Sequence, residues 1–194
     1  MKEAREETLE RRTVFEGKVV RLYLDRVLLP DGREAEREVV LHRGAVGMVA
    51  LDGEGHVFLV RQYRHAPGEH LVEIPAGKLD AGEDPLECAR RELQEEVGCA
   101  AESWHLLASF YTSPGFSDEV LHLYLARGLT RGEAAPDEDE FLEVMRVPLE
   151  DALAMVARGE IRDSKTVAGI ALASLYLAGS YPPGGEGDEG GEGA

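Results

Sequence analysis

Glu92, Glu95 and Glu96 fall within one turn of a candidate helix, in the stretch GKLDAGEDPLECARRELQEEVGC (77–99). That stretch carries seven acidic side chains against three basic ones. Like charges so close repel, and weaken a helix by roughly a few tenths of a kcal/mol per pair. Two chemistries account for such crowding. A solvated acidic face is the ordinary one. The other is a hard divalent cation, since Mg²⁺ takes oxygen ligands and commonly uses a few carboxylates together with substrate phosphates. A bound cation would offset the repulsion.

Other residues suited to chemistry lie on either side. FLVRQYRH (58–65) carries Arg61 and Arg64, expected to project from one face of a strand, and arginine is suited to bidentate phosphate contacts. Glu73, on the strand before the glycine-rich loop, is placed to hold Arg64 or a substrate amine. DEDEFLE (137–143) is a second acidic cluster, readable as a solvated loop or as a source of a general base. Cys88 and Cys99 make neither a disulfide framework nor a metal-ligand spacing and read as small buried thiols. The net charge of −17 argues against general binding to a nucleic-acid backbone or an anionic membrane. With no signal pattern at the N-terminus and no apolar run long enough to span a bilayer, a cytoplasmic protein is expected.

The elements that must position these residues are strands around a central helix, with helices at the end. A charged segment (1–12) precedes strand-like sequence from residue 13, with PDG (30–32) and DGEG (52–55) as turns. HLVEIPAGKL (70–79) reads as a strand entering a loop. The helix signals that follow are clear: Asp84 as N-cap, Pro85 at the first position, Glu87 completing a capping box and Gly98 as the stop. At 100° per residue Leu86, Ala89, Leu93 and Val97 form one apolar stripe, leaving Glu92, Glu95 and Glu96 on another face. Two strands joined by TSPGFSD (112–118) come next, then the acidic loop, a strand EVMRVPL (143–149) and two helices. The second of these, containing VAGIALASLYLAG (167–179), is expected to be buried. Residues 182–194, glycine-rich and acidic, read as a disordered tail, so the domain is expected over 13–181. This is a mixed α/β (α+β) layout.

The order of residues in the acidic stretch resembles the signature of the Nudix hydrolases. Gly77, Glu83, Arg91, Glu92, Leu93, Glu95, Glu96 and Gly98 fill its fixed positions, and Cys99 stands where an aliphatic residue is usual. Pro114, sixteen positions past Gly98, together with FLVRQYRH and EIPAGKLD (73–80), is similar to the ADP-ribose pyrophosphatase branch. The resemblance implies a mixed sheet sandwiched between helices, preceded by N-terminal antiparallel strands. It implies Mg²⁺, or Mn²⁺, held by Glu92 and Glu96, with Glu95 as a further ligand or water orienter and the Ala76 carbonyl as an additional ligand. Arg91 and Glu83 would then orient the ligands.

From the same resemblance, Arg64 would contact the diphosphate, Arg61 and Glu73 would contribute to substrate binding, and Pro114 would line the substrate site. Glu138 would be the general base, with Glu140 touching metal and Asp139 and Glu143 as alternatives. The reaction implied is hydrolysis of ADP-ribose to AMP and ribose 5-phosphate by a homodimer that exchanges its N-terminal strands. The alternatives are another nucleotide sugar, FAD or a dinucleotide as substrate, or a non-catalytic domain that senses ADP-ribose.

Overall fold

The structure is a computed structural model that describes residues 4–135 and 141–180. The chain divides into two units, Met1–Gly44 with Tyr111–Val120, and Ala45–Phe110 with Leu121–Ala194.

In the first unit β1 (Glu7–Glu16), β2 (Arg21–Leu28) and β3 (Glu34–Leu41) form an antiparallel sheet in that order. Strand structure thus begins at Glu7, inside the segment set apart as 1–12. Its charged side chains do not prevent pairing because they find cross-strand partners. Arg11 stands opposite Asp25 and donates from Nε to Oδ1 at 2.8 Å and from Nη2 to Oδ2 at 2.6 Å. The guanidinium beside it holds the buried Asp25 carboxyl below its ordinary range. All ten residues of β1 are exposed. The TSPGFSD segment packs on the end of β3, where Val40 N donates to Phe116 O at 2.7 Å.

The second unit is built on a sheet of order β10-β5-β4-β9-β8. Its strands are β4 (Ala45–Leu51), β5 (His56–Arg64), β8 (Cys99–Tyr111), β9 (Val120–Arg131) and β10 (Glu143–Pro148). The short β6 (Glu69–Glu73) pairs with β5 and β7 (Ala76–Lys78) with β4. β4 runs parallel to β9 and antiparallel to β5, so the sheet is mixed.

Side chains alternate across the sheet, and the alternation sorts the apolar residues into two cores. Val46, Met48 and Ala50 of β4, Phe58 of β5 and Tyr124 of β9 pack with Cys88, Ala89 and Leu93 of α1 (Pro85–Val97). On the other side Val49, Leu51, Val57, Leu59, Leu123 and Leu125 pack with Ala152 of α2 (Leu149–Ala157). Ile170 and Ala173 of α3 (Ser164–Leu177) join this second core. The expected sheet between helices is what forms.

α3 differs from the buried helix expected. Thr166, Gly169, Ile170 and Ala173 make one buried stripe, while Leu175 and Leu177 are exposed. One side of a helix suffices to cover one side of a sheet. Gly169 lets it approach closely: a Cβ there would lie 3.1 Å from both Ile74 Cδ1 and Val49 Cγ2.

Candidate active site

α1 begins and ends as its sequence dictates. Asp84 Oδ1 accepts from Leu86 N at 2.9 Å and Glu87 N at 3.3 Å, and Gly98 closes the helix at φ 69°. Glu87 does not complete a capping box, because its carboxylate pairs instead with Arg90. With Leu93 buried and Leu86 and Val97 packed around it, the stripe turns the glutamates toward β7.

Gly77 of β7 lies directly under Glu92. A Cβ at that position would fall 1.9 Å from Glu92 Cδ, so a larger residue fits only if the Glu92 side chain gives way. Glu96 is buried and accepts from Ala76 N at 2.9 Å. The loop before the helix and the acidic face of the helix are thereby fixed to each other by one steric contact and one hydrogen bond.

Arg91 gathers the remaining carboxylates. Its Nε and Nη2 donate to the two oxygens of Glu83 at 3.0 and 3.1 Å. Its Nη1 donates to Glu92 at 2.8 Å and to Glu95 at 3.0 Å. The sequence reading gave a cation the task of offsetting the repulsion; in the structure Arg91 already does much of it. The guanidinium, helped by a hydrogen bond from Asp80 N, holds the Glu83 carboxyl down at about 2. Neighbouring Cys88 is a buried free thiol, pushed up to about 12 by burial.

Arg61 and Arg64 do not share a face. They are three residues apart, and an odd separation on a strand puts side chains on opposite sides. Arg61 stands opposite Glu143 across the β5–β10 ladder and pairs with it at 3.3 Å. Glu143 is therefore a strand residue in an exposed ion pair rather than part of an acidic loop. Arg64 donates to Glu73 from Nε at 2.7 Å and Nη2 at 2.6 Å, with the Glu73 side chain buried and the Arg64 side chain 41% exposed. Burial alone would raise the Glu73 carboxyl, but Arg64 and Lys165 outweigh it and hold it low. The Glu73 hydrogen bonds raise Arg64, and Glu96 acts on it through space, which places Arg64 in the field of the acidic helix.

Pro114 belongs to the first unit, exposed, in a turn closed by Phe116 N donating to Ser113 O at 3.1 Å. Tyr124 is buried, whereas Tyr111 and Phe116 are exposed. Glu138, Asp139 and Glu140 lie outside the described residues, as does the segment 182–194. The stem leading to 136–140 is tied to the end of α1. Gly132 N donates to Gly98 O at 2.6 Å, Ala135 N to Glu95 O at 3.0 Å and Gln94 Nε2 to Glu133 O at 2.9 Å.

Sequence reasoning missed a group at the start of α3. Asp163 caps that helix, accepting from Thr166 N at 3.0 Å, and Lys165 reaches both Asp163 and Glu73. The Asp-Ser pair at 163–164 announces the cap, but nothing in it reveals the partner strand.

Among the described residues no group of three or more His, Cys, Asp or Glu side chains is arranged to hold a cation. The donor chemistry nevertheless fits one. Glu92, Glu95 and Glu96 offer only oxygens, project from one helix beside the Ala76 backbone, and are held by hydrogen bonds that a cation can replace.

A NUDIX domain model matches residues 41–169, and a nucleoside diphosphate sugar hydrolase N-terminal domain matches residues 6–40. The chain belongs to the Nudix family. It is 46% identical over 180 residues to the ADP-ribose pyrophosphatase of Bacillus subtilis (strain 168), covering 92% of this chain and 97% of that protein. It is 45% identical over 175 residues to the methanol dehydrogenase activator of Bacillus methanolicus, covering 89% and 95%. The crystal structure of an ADP compounds hydrolase shares the fold with a TM-score of 0.80 at 24% identity, over 90% of this chain and 95% of that one.

Proposed function

We propose that this Nudix pyrophosphohydrolase cleaves the diphosphate of ADP-ribose with water, giving AMP and ribose 5-phosphate. The observation that carries the reading is the coupling of two sites. An oxygen-rich helix face is fixed beside Ala76 and Gly77, and Arg64 is anchored on a buried carboxylate while its own side chain stays partly exposed. The similarity to an ADP-ribose pyrophosphatase over nearly the whole of both chains supports the choice of substrate.

Mg²⁺, for which Mn²⁺ can substitute, would be held by Glu92, Glu95, Glu96 and the Ala76 carbonyl with Glu140, and supplies neutralisation of phosphate charge and a more acidic water. Arg64 binds the diphosphate, with Glu73 fixing its guanidinium plane. Arg91 and Glu83 keep the carboxylates oriented. Glu138 accepts the proton of the attacking water. Arg61, committed to Glu143, is left a supporting part at the rim, and Pro114 shapes a substrate-side turn.

The homodimer with exchanged N-terminal strands belongs to the same reading. It is supported by β1, which exposes Leu9, Val14 and Phe15 along with the rest of its residues. The domain proper is proposed to end at 181, with the acidic tail beyond it. Buried free Cys88 and Cys99 accord with the cytoplasm. The test is a panel of ADP-ribose, GDP-mannose, FAD and diadenosine compounds with Mg²⁺ and product analysis. ADP-ribose is expected to give the highest kcat/KM; equal or faster cleavage of GDP-mannose would overturn the assignment.

A further inference from the structure

From the start of α3 we infer that Lys165, with Asp163 and Thr166, is a positioning residue for the phosphate-binding arginine. The inference rests on the hydrolase reading above.

Glu73 is almost completely buried, and its carboxylate is shared between two cations from separate elements, Arg64 of β5 and Lys165 of α3. Lys165 is itself largely buried and is held in place by Asp163 Oδ2 at 2.9 Å. That same oxygen accepts from Thr166 Oγ1 at 2.5 Å, and Thr166 Oγ1 accepts from Ile74 N at 2.8 Å. α3 therefore grips two consecutive residues where β6 ends and the chain runs on to Ala76: Glu73 through its side chain and Ile74 through its backbone. Pro75 O is held in turn by Met48 N at 2.9 Å.

Charge decides what Lys165 contributes. The cluster contains two cations and two carboxylates, so it is neutral with Lys165 and negative without it. A diphosphate must approach Arg64 in a chain of net charge −17, and a buried, uncompensated carboxylate behind the guanidinium would draw on the charge that Arg64 offers. Lys165 satisfies Glu73 from the protein side, which leaves the exposed side of Arg64 available to the phosphate. Its position behind Glu73 makes it a support of the arginine.

The test uses the full chain with saturating Mg²⁺ and ADP-ribose. Lys165→Met is expected to raise KM about tenfold while kcat falls less than threefold, since substrate attraction is weakened and the reacting groups are untouched. Lys165→Arg, which keeps the charge, is expected to return KM to within about twofold of wild type. A Lys165→Met enzyme with wild-type KM would overturn the inference. So would an equal loss of kcat in Lys165→Met and Lys165→Arg, which marks a packing role. If Lys165→Met does not fold, Lys165→Gln, which removes the charge and keeps a polar side chain, carries the test beside Lys165→Arg: a tenfold rise in KM in Lys165→Gln that Lys165→Arg lacks supports the inference, and a wild-type KM in Lys165→Gln overturns it. Failure of the wild-type protein to cleave any diphosphate in the panel would instead strike the hydrolase reading.

Discussion

Arg91 is one side chain serving three carboxylates, and Glu83 receives the largest part of it. Because the Glu83 carboxyl is held at about 2 when folded and is ordinary when unfolded, its ion pair stabilises the protein above the ordinary glutamate range. That stabilisation is lost as pH falls toward 2, where the folded carboxyl is protonated too. Metal-free Glu83→Gln should therefore be less stable than wild type at pH 7, by about 1–2 kcal/mol once solvent screening is discounted. The gap should close as the pH is lowered through the range from about 4.5 to about 2. Melting temperatures of both proteins across that range check it, and a gap independent of pH would assign the loss to packing.

At the scale of elements, the contact of β7 with α1 depends on a missing side chain. Gly77→Ala would drive a methyl into the Glu92 carboxylate, and the yielding partner is the far end of a flexible side chain. The fold should survive with a melting temperature close to wild type, while turnover falls about 100-fold because Glu92, the proposed metal ligand, has been displaced. Circular dichroism melts beside steady-state kinetics separate the two effects. A near-normal turnover would show that Glu92 has no fixed place in the reaction. The far end of α1 is fitted as closely: Gly98, besides its left-handed φ, has Ala134 N only 2.6 Å from where a Cβ would sit. Gly98 thus both stops the helix and admits the backbone of Glu133 and Ala134.

At the scale of the whole molecule, a strand with ten exposed residues is unusual, because an edge with apolar side chains invites pairing with another chain. Sedimentation of the full chain should give a dimer at micromolar concentration. Val14→Asp, which places charge on an exposed apolar position of β1, should shift it toward monomer. A wild-type monomer at all concentrations would dismiss the exchanged-strand proposal.

The sequence by itself determined the local features. Asp84, Pro85 and Gly98 set both ends of α1 because capping and left-handed backbone are properties of a few neighbouring residues. The apolar stripe with the glutamates opposite followed from the helical period, and the eight filled signature positions identified the family. Tertiary structure decided which distant groups meet. The strand period alone separates Arg61 from Arg64, but Arg61 met Glu143 only once β10 lay beside β5. Lys165 reached Glu73, 92 positions away, only because α3 packs over Ile74 at Gly169. No local pattern encodes such a pairing, because it depends on which helix covers which side of the sheet and on the depth at which it settles.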